Sequence, residues 1–382
     1  MLTLYTSIMP FCYSPWTNID ISPSGGMTPC CKFRSESYSE KFNIQSHTIK
    51  EYSQSKLIQE IKQDFAQNKW PAGCERCRIE EENSIKSKRN LDYSRWYDLY
   101  NKYNLHNDGF ITASVAFGNT CNLKCITCGP VASSRWQKEY QDLYGQNIVP
   151  YKFYKKDFVS EFINSAPHMM HIDIPGGEPF LSGVAEQKDL LAHYIQTDQA
   201  KNMTLHYTTN ATIFPELEWW DLWHHFKEVD LQLSIDGIGQ RYEYLRYPAV
   251  WNDTVDNVKK YIHKEQEYAN IKLSVSHTVS AYNIYYLDEF FSWCQEMGLP
   301  TPWLGKVHTP MHMRPGVWPN LVRDKIIDKL QASKFEDVKT WSRLLSNIDD
   351  SDFFDLFKSK TQQHDEYRQL DFSKTFPDYE LI

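Results

Sequence analysis

The sequence predicts an α/β fold: a partial (β/α)6 TIM-like barrel, preceded by an irregular cysteine-rich segment and followed by a helical tail. Three observations predict it. Six short apolar runs alternate with helical patterns between residues 109 and 310. Eight of the nine cysteines fall in the first third of the chain, at 12, 30, 31, 74, 77, 121, 125 and 128. Beyond about Trp318 the chain turns polar and helical, then aromatic and acidic. The domain limits read from these shifts are 1–108, 109–310 and 311–382.

In 1–108, strand-like stretches such as Asn18–Ile21 alternate with turn signals, among them Ser22-Pro23-Ser24-Gly25-Gly26. An amphipathic helix is expected from about Ile49 to Asn68, with Leu57, Ile58, Ile61 and Phe65 on one face. Pro71-Ala72-Gly73 breaks the pattern, and a second helix is expected over about Cys77–Tyr103. The barrel strands are expected at Ile111–Phe117, His171–Ile174, Thr204–Tyr207, Asp230–Ile235, Ile271–Val279 and Trp303–Val307. Helices are expected at Pro130–Tyr144, Phe214–Lys227, Val250–Glu267 and Ile284–Met297. Such alternation argues for parallel strands with right-handed helical crossovers, which curl the sheet. The working groups of a barrel of this kind sit at the C-terminal ends of its strands. In the tail, Asp349-Asp350-Ser351-Asp352 reads as a helix start before Phe353-Phe354-Asp355-Leu356-Phe357, and the tail as a packing appendage.

Composition excludes several classes. Hydrophobic residues make up 41% of the 382 and charged residues 24%, which is a globular balance and not a disordered one. Lys and Arg number 41 against 49 Asp and Glu, a net charge of -8, so non-specific binding of nucleic acid is not expected. No apolar run approaches the ~18 residues of a membrane span. Met1–Thr6 has no basic n-region, so the cytoplasm is the expected location. Grouped cysteines in a reducing compartment read as metal ligands or redox thiols, not as disulfides.

The first barrel strand leads into Cys121-Asn-Leu-Lys-Cys125-Ile-Thr-Cys128. A structural zinc site takes four ligands, and so does a fully ligated iron–sulfur cubane. Three thiolates leave one metal position open, as catalytic sites do. A zinc site completed by a distant residue, or three buried thiols, is the plain alternative. Farther along, strand ends carry Pro175-Gly176-Gly177-Glu178-Pro179-Phe180, Thr208-Thr209-Asn210-Ala211 and Leu233-Ser234-Ile235-Asp236-Gly237, and Tyr244-Leu245-Arg246-Tyr247 follows.

In this order, from about residue 110 to 310, these motifs resemble the radical S-adenosylmethionine (SAM) superfamily. The resemblance implies that Cys121, Cys125 and Cys128 hold a [4Fe–4S] cluster whose open iron binds SAM. It implies that Gly176, Gly177, Glu178 and Pro179 meet the SAM amino group. Asn210 and Ser234 belong to the same pocket, Ser234 at the ribose, and Arg246 at the carboxylate. Two positions depart from the family pattern. Thr127 stands where an aromatic residue is common, and Ala211 where the turn usually has Gly.

A second thiol set precedes the barrel: Cys12, the pair Cys30-Cys31, and Cys74-Glu-Arg-Cys77. Cys12, Cys30, Cys74 and Cys77 make four thiolates, with Cys31 as alternate for Cys30. They suit either a complete cubane or a structural zinc. The pattern resembles the SPASM/twitch segment, which implies an auxiliary [4Fe–4S] cluster. Glu81, Ser87 and Arg89 follow without an assigned role. Cys294, in Phe290-Phe291-Ser-Trp293-Cys294, reads as a small buried hydrophobe.

The radical SAM resemblance implies one-electron reduction by a flavodoxin- or ferredoxin-type donor. Cleavage of SAM then gives a 5′-deoxyadenosyl radical that abstracts hydrogen from a substrate. The SPASM resemblance favours a peptide or protein side chain, and a small metabolite fits equally. His277, His308, His312 and Arg314 are the side chains expected near the barrel mouth, with structural roles the first expectation for each. Two rivals remain. One is a radical SAM enzyme acting on a nucleobase or tRNA, which would show a basic groove around Lys86, Lys88 and Arg89. The other is a non-enzymatic iron–sulfur protein.

Overall fold

Each of the six apolar runs forms a strand; in the third, fourth and fifth, alternate side chains bury on one face while those between them do not. The computed structural model describes residues 10–82, 86–102, 109–146 and 157–379. The chain divides into two units, residues 1–119, 151–207 and 221–229, and residues 120–150, 208–220 and 230–382.

The first unit is built on β1 (Asn18–Ile21), β2 (Gly26–Thr28), β3 (Phe42–Asn43), β4 (Thr112–Val115), β5 (His171–Ile174) and β6 (Thr204–Thr209). The last two residues of β6 belong to the second unit. The hydrogen-bonded order is β3-β2-β1-β4-β5-β6. β1 pairs antiparallel with β2 and parallel with β4, so the N-terminal segment adds strands to the barrel sheet. β4, β5 and β6 follow in parallel. Their registers set Asp20 beside Ser114, Ser114 beside Asp173, and Asp173 beside His206. These four form a polar row on one face. On the other face Ile19, Ile21, Ala113, Val115, Ile172, Ile174, Leu205 and Tyr207 are buried. Phe158, Phe162, Leu190, Leu191 and Tyr194, from helices Phe158–Ser165 and Val184–Gln196, are buried with them.

The second unit holds β7 (Glu228–Ser234, its first two residues in the first unit), β8 (Ile271–Val279) and β9 (Trp303–Lys306), in the order β7-β8-β9. β8 and β9 are parallel. Among the described residues β3 and β9 each have one strand neighbour, so the sheet is unclosed. The tail is helical, with Asn320–Gln331, Glu336–Leu345 and Phe354–Arg368 as its main elements. No helix among the described residues is long and apolar enough to cross a membrane.

Several helices differ in extent from the sequence expectation, each for a local reason. The span Ile49–Asn68 is two helices, Ile49–Ser53 and Lys56–Ala66. Thr48 and Glu51 form a reciprocal capping box for the first, and the Ser55 hydroxyl accepts from Ile58 N to start the second. The helix expected over Cys77–Tyr103 is seen as Glu75–Glu82 and Lys88–Lys102; residues 83–85 and 103 lie outside the described residues. The helix after the three-cysteine loop begins only at Trp136, because Ser133 donates to the Leu123 carbonyl (2.5 Å) and keeps 130–135 in turns.

Candidate active site and cluster centres

The N-terminal thiols come from four separate turns of the first unit. Cys12 precedes the helical turn Ser14–Thr17, with its Sγ 3.4 Å from the Ser14 hydroxyl. Cys30 follows β2, its carbonyl accepting from the Thr28 hydroxyl (3.2 Å). Cys74 ends the 3-10 turn Ala72–Cys74, and Cys77 sits in the first turn of Glu75–Glu82. Gly73 immediately precedes them, and a Cβ there would lie 2.3 Å from the Phe33 ring, so that ring would have to shift.

Cys12, Cys30, Cys74 and Cys77 line one cavity, walled by Phe33, Phe65 and Trp70. Cys31 is exposed and does not line it. Burial raises all four thiol pKa values, and neighbouring thiolates raise those of Cys12, Cys30 and Cys74 further. Four shielded thiols that oppose one another's ionisation suit a cationic metal core, which would supply the missing counter-charge. Among the described residues no three His, Cys, Asp or Glu side chains converge closely enough to hold a single metal ion. The thiols surround a space instead.

The residues that sequence reasoning left without a role form a buried bracket behind this centre. Arg89 Nε donates to Glu81 Oε1 (2.9 Å), Ser87 donates to the same oxygen (2.5 Å), and Arg89 Nη1 donates to the Phe11 carbonyl (2.8 Å). The bracket fixes the backbone one residue before Cys12. Its signal in the sequence, three polar residues near a break between helices, is too common to read.

In the second unit, Cys121, Cys125 and Cys128 share a loop whose backbone is tied from outside. Lys124 N and Ile126 N donate to the Tyr247 and Leu245 carbonyls, both at 2.8 Å. Trp136 Nε1 donates to the Cys125 carbonyl (3.0 Å). Asn210 Nδ2 donates to Asn122 Oδ1 (2.9 Å) and lies 3.8 Å from Cys121 Sγ. Asn210 thus reaches the loop from the end of β6, as its motif position implies. The next residue, Ala211, has φ 62°, so the left-handed turn is kept without the usual glycine. The carbonyls of Ala211 and Thr212 accept from Asn257 Nδ2.

Burial pushes the Cys125 thiol up to about 12 and the Cys128 thiol up to about 11, against the lowering charge of Arg246. Arg246 is buried and paired with Asp236 Oδ2 at 2.8 Å. Asp236 also accepts from Thr278 N (2.7 Å). Arg246 Nε has no hydrogen-bond partner among the described residues. Ser234, at the end of β7, has its hydroxyl 3.2 Å from that of Ser276. Sequence reasoning named Asp236 only as part of a motif and missed its pairing with Arg246, which joins positions ten residues apart across a turn and a helix.

Gly176, Gly177, Glu178 and Pro179 lie in the first unit, after β5. Gly176 has φ 88°, and a Cβ there would approach that of Ala116 to 2.6 Å, so no other residue fits without a shift. Glu178 is fully buried, and Gln187 donates to the Pro179 carbonyl (2.8 Å).

Of the four expected mouth residues, Arg314 is structural, donating to the His308 carbonyl (2.9 Å) and to Asp350 (3.0 Å). His277 is buried, with Nδ1 3.0 Å from the Ile235 carbonyl, and burial lowers its pKa to about 4. His312 lines a cavity that is also lined by Cys128, Trp136 and Lys360. Cys294 is buried in helix Leu287–Glu296.

No curated protein matches the chain. Among solved structures, native anSMEcpe with bound AdoMet is similar at 18% identity and TM-score 0.42, over 57% of this chain and 57% of that one. Streptococcus suis SuiB bound to S-adenosylmethionine is similar at 14% identity and TM-score 0.40, over 73% of this chain and 58% of that one. TYW1 with a lysine-pyruvate adduct bound is similar at 12% identity and TM-score 0.35, over 58% of this chain and 74% of that one. The chain spans little more than half the length of the anSMEcpe and SuiB chains that it matches. Residues 12–78, the stretch that carries Cys12, Cys30, Cys74 and Cys77, match the SPASM model, an iron-sulfur cluster-binding domain.

Proposed function

We propose that this chain is a radical SAM enzyme with an N-terminal auxiliary cluster, acting on a peptide or protein side chain. The observation that carries the reading is the loop of Cys121, Cys125 and Cys128: three shielded thiols that leave one metal position open, beside a buried Asp236–Arg246 pair. When bound, a [4Fe–4S] cluster with SAM on its open iron supplies one-electron cleavage of SAM to a hydrogen-abstracting 5′-deoxyadenosyl radical.

The chain's own residues do the rest. The Tyr247 and Leu245 carbonyls and the Trp136 indole hold the backbone of the loop that carries the three sulfurs. Arg246, steadied by Asp236, keeps its Nε–H for the SAM carboxylate. Ser234 takes the ribose, and Asn210 braces Asn122 beside Cys121. The motif position of Gly176–Pro179 assigns that segment to the SAM amino group. Cys12, Cys30, Cys74 and Cys77 hold the auxiliary cluster in their common cavity, supported by the SPASM match over the same stretch. The SPASM match also favours a peptide substrate. A flavodoxin- or ferredoxin-type protein is the electron donor.

The experiment is anaerobic reconstitution with iron and sulfide, followed by SAM and a strong reductant, with 5′-deoxyadenosine measured by chromatography. Wild type releases it and Cys125→Ala does not. A fully loaded protein that neither releases 5′-deoxyadenosine nor binds SAM would leave a non-enzymatic iron–sulfur protein as the reading.

A further inference from the structure

The tail reaches the three-cysteine loop through buried charge. Glu139, fully buried on helix Trp136–Tyr144, is met by three basic groups. Lys124 Nζ lies 2.7 Å from Oε2, while His364 Nδ1 and Arg368 Nε lie 3.0 and 2.8 Å from Oε1. Lys124 immediately precedes Cys125. His364 and Arg368 are four residues apart on helix Phe354–Arg368, so one helix face presents both. Burial alone would raise the Glu139 carboxyl, but the His364 and Lys124 hydrogen bonds and the charge of Arg368 bring it to about 2, so it stays a carboxylate.

A second path runs through aromatic rings. The Arg368 guanidinium lies 4.7 Å from the Trp136 ring centre and 5.3 Å from that of Tyr247. Trp136 donates to the Cys125 carbonyl, and the Tyr247 carbonyl accepts from Lys124 N. Arg368 Nη1 and Nη2 have no hydrogen-bond partner among the described residues, so ring faces and Glu139 are what hold this charge. Two cations, Lys124 and Arg368, thus meet one carboxylate, Glu139, behind the loop.

We propose that the C-terminal helix is a working part of the three-cysteine centre: it positions the loop, and its Arg368 charge, set behind that loop, favours the reduced, more negative state of a cluster held there. The proposal rests on the reading that Cys121, Cys125 and Cys128 hold a cluster.

The test is a potentiometric titration of the reconstituted full chain by electron paramagnetic resonance, with iron per chain measured alongside. Cys77→Ala and Cys125→Ala assign the two signals. Glu139→Gln removes a negative charge and moves the three-cysteine midpoint up. Arg368→Gln removes a positive charge and moves it down. Arg368→Lys keeps the charge and stays near wild type, and the N-terminal cluster moves in none of them. Opposite signs matter, because general disruption of one salt bridge would push both variants the same way. Should Arg368→Gln fail to fold, Lys124→Met serves as the downward arm. Loss of half the iron in Glu139→Gln and Arg368→Gln, but not in Arg368→Lys, supports the positioning role equally. Full iron with shifts that are absent or alike in sign overturns the proposal while leaving the cluster intact. Full iron in Cys125→Ala overturns the cluster reading itself.

Discussion

Replacing Asp236 by Asn should cost the fold far more than its single atom change suggests. Asp236 and Arg246 are 3% and 7% exposed and paired at 2.8 Å. Asparagine can still accept from Thr278 N, so the backbone contact survives. What is lost is the counter-charge, and Arg246 is left buried without compensation. Breaking a buried pair from one side costs about 3–5 kcal/mol. Arg246→Met should cost somewhat less, because the stranded Asp236 keeps the Thr278 N–H. The double variant Asp236→Asn/Arg246→Met removes both charges and should return to within about 2 kcal/mol of wild type, since the pair's own net contribution is small once desolvation is counted. Urea unfolding followed by tryptophan fluorescence measures each corner of the cycle. A loss under about 1 kcal/mol in Asp236→Asn, or a double variant equal to the sum of the singles, would refute the argument. SAM binding by equilibrium dialysis separates the two roles of Arg246. If it holds the SAM carboxylate, the refolded double variant loses SAM although its stability returns. If SAM binding persists, the arginine is structural only.

Three further outcomes are expected. Burial, with the charge of Asp173 adding to it, holds the Asp20 carboxyl up at about 6, against the pull of Ser114 and Lys88. A raised acid keeps its full stability below the unfolded value and loses it as pH rises through the folded one. Wild type should therefore lose about 2–3 kcal/mol between pH 4 and 8 that Asp20→Asn does not, measurable as the difference between their unfolding profiles. Gly73→Ala sets a methyl against the Phe33 ring and should destabilise by about 1–3 kcal/mol, with loss of N-terminal iron after reconstitution; unchanged iron and melting temperature would show that Phe33 yields freely. Cys30→Ser should remove half the iron and Cys31→Ser none, because only Cys30 lines the cavity, and the reverse result would reassign the ligand.

Local patterns were readable where they bury one face. The β1 run Asn18–Ile21 and all six barrel runs form strands, and in β6, β7 and β8 the alternation in sequence is the alternation in burial. Helix limits were less readable. Ser55 divides Ile49–Asn68 and Ser133 delays the helix at Trp136 through single side-chain hydrogen bonds, which apolar periodicity does not register.

The sequence by itself determined the thiol groupings, the order of the strand-end motifs and the unclosed α/β plan, because spacing and alternation are properties of neighbouring residues. Tertiary structure alone decided that Cys30 and not Cys31 lines the cavity, that Asp236 pairs with Arg246, and that His364 and Arg368 meet Glu139 across more than 220 positions of the chain. A buried charge must be met by some partner, and burial selects it by position in space, which the distance between two residues in the chain does not encode.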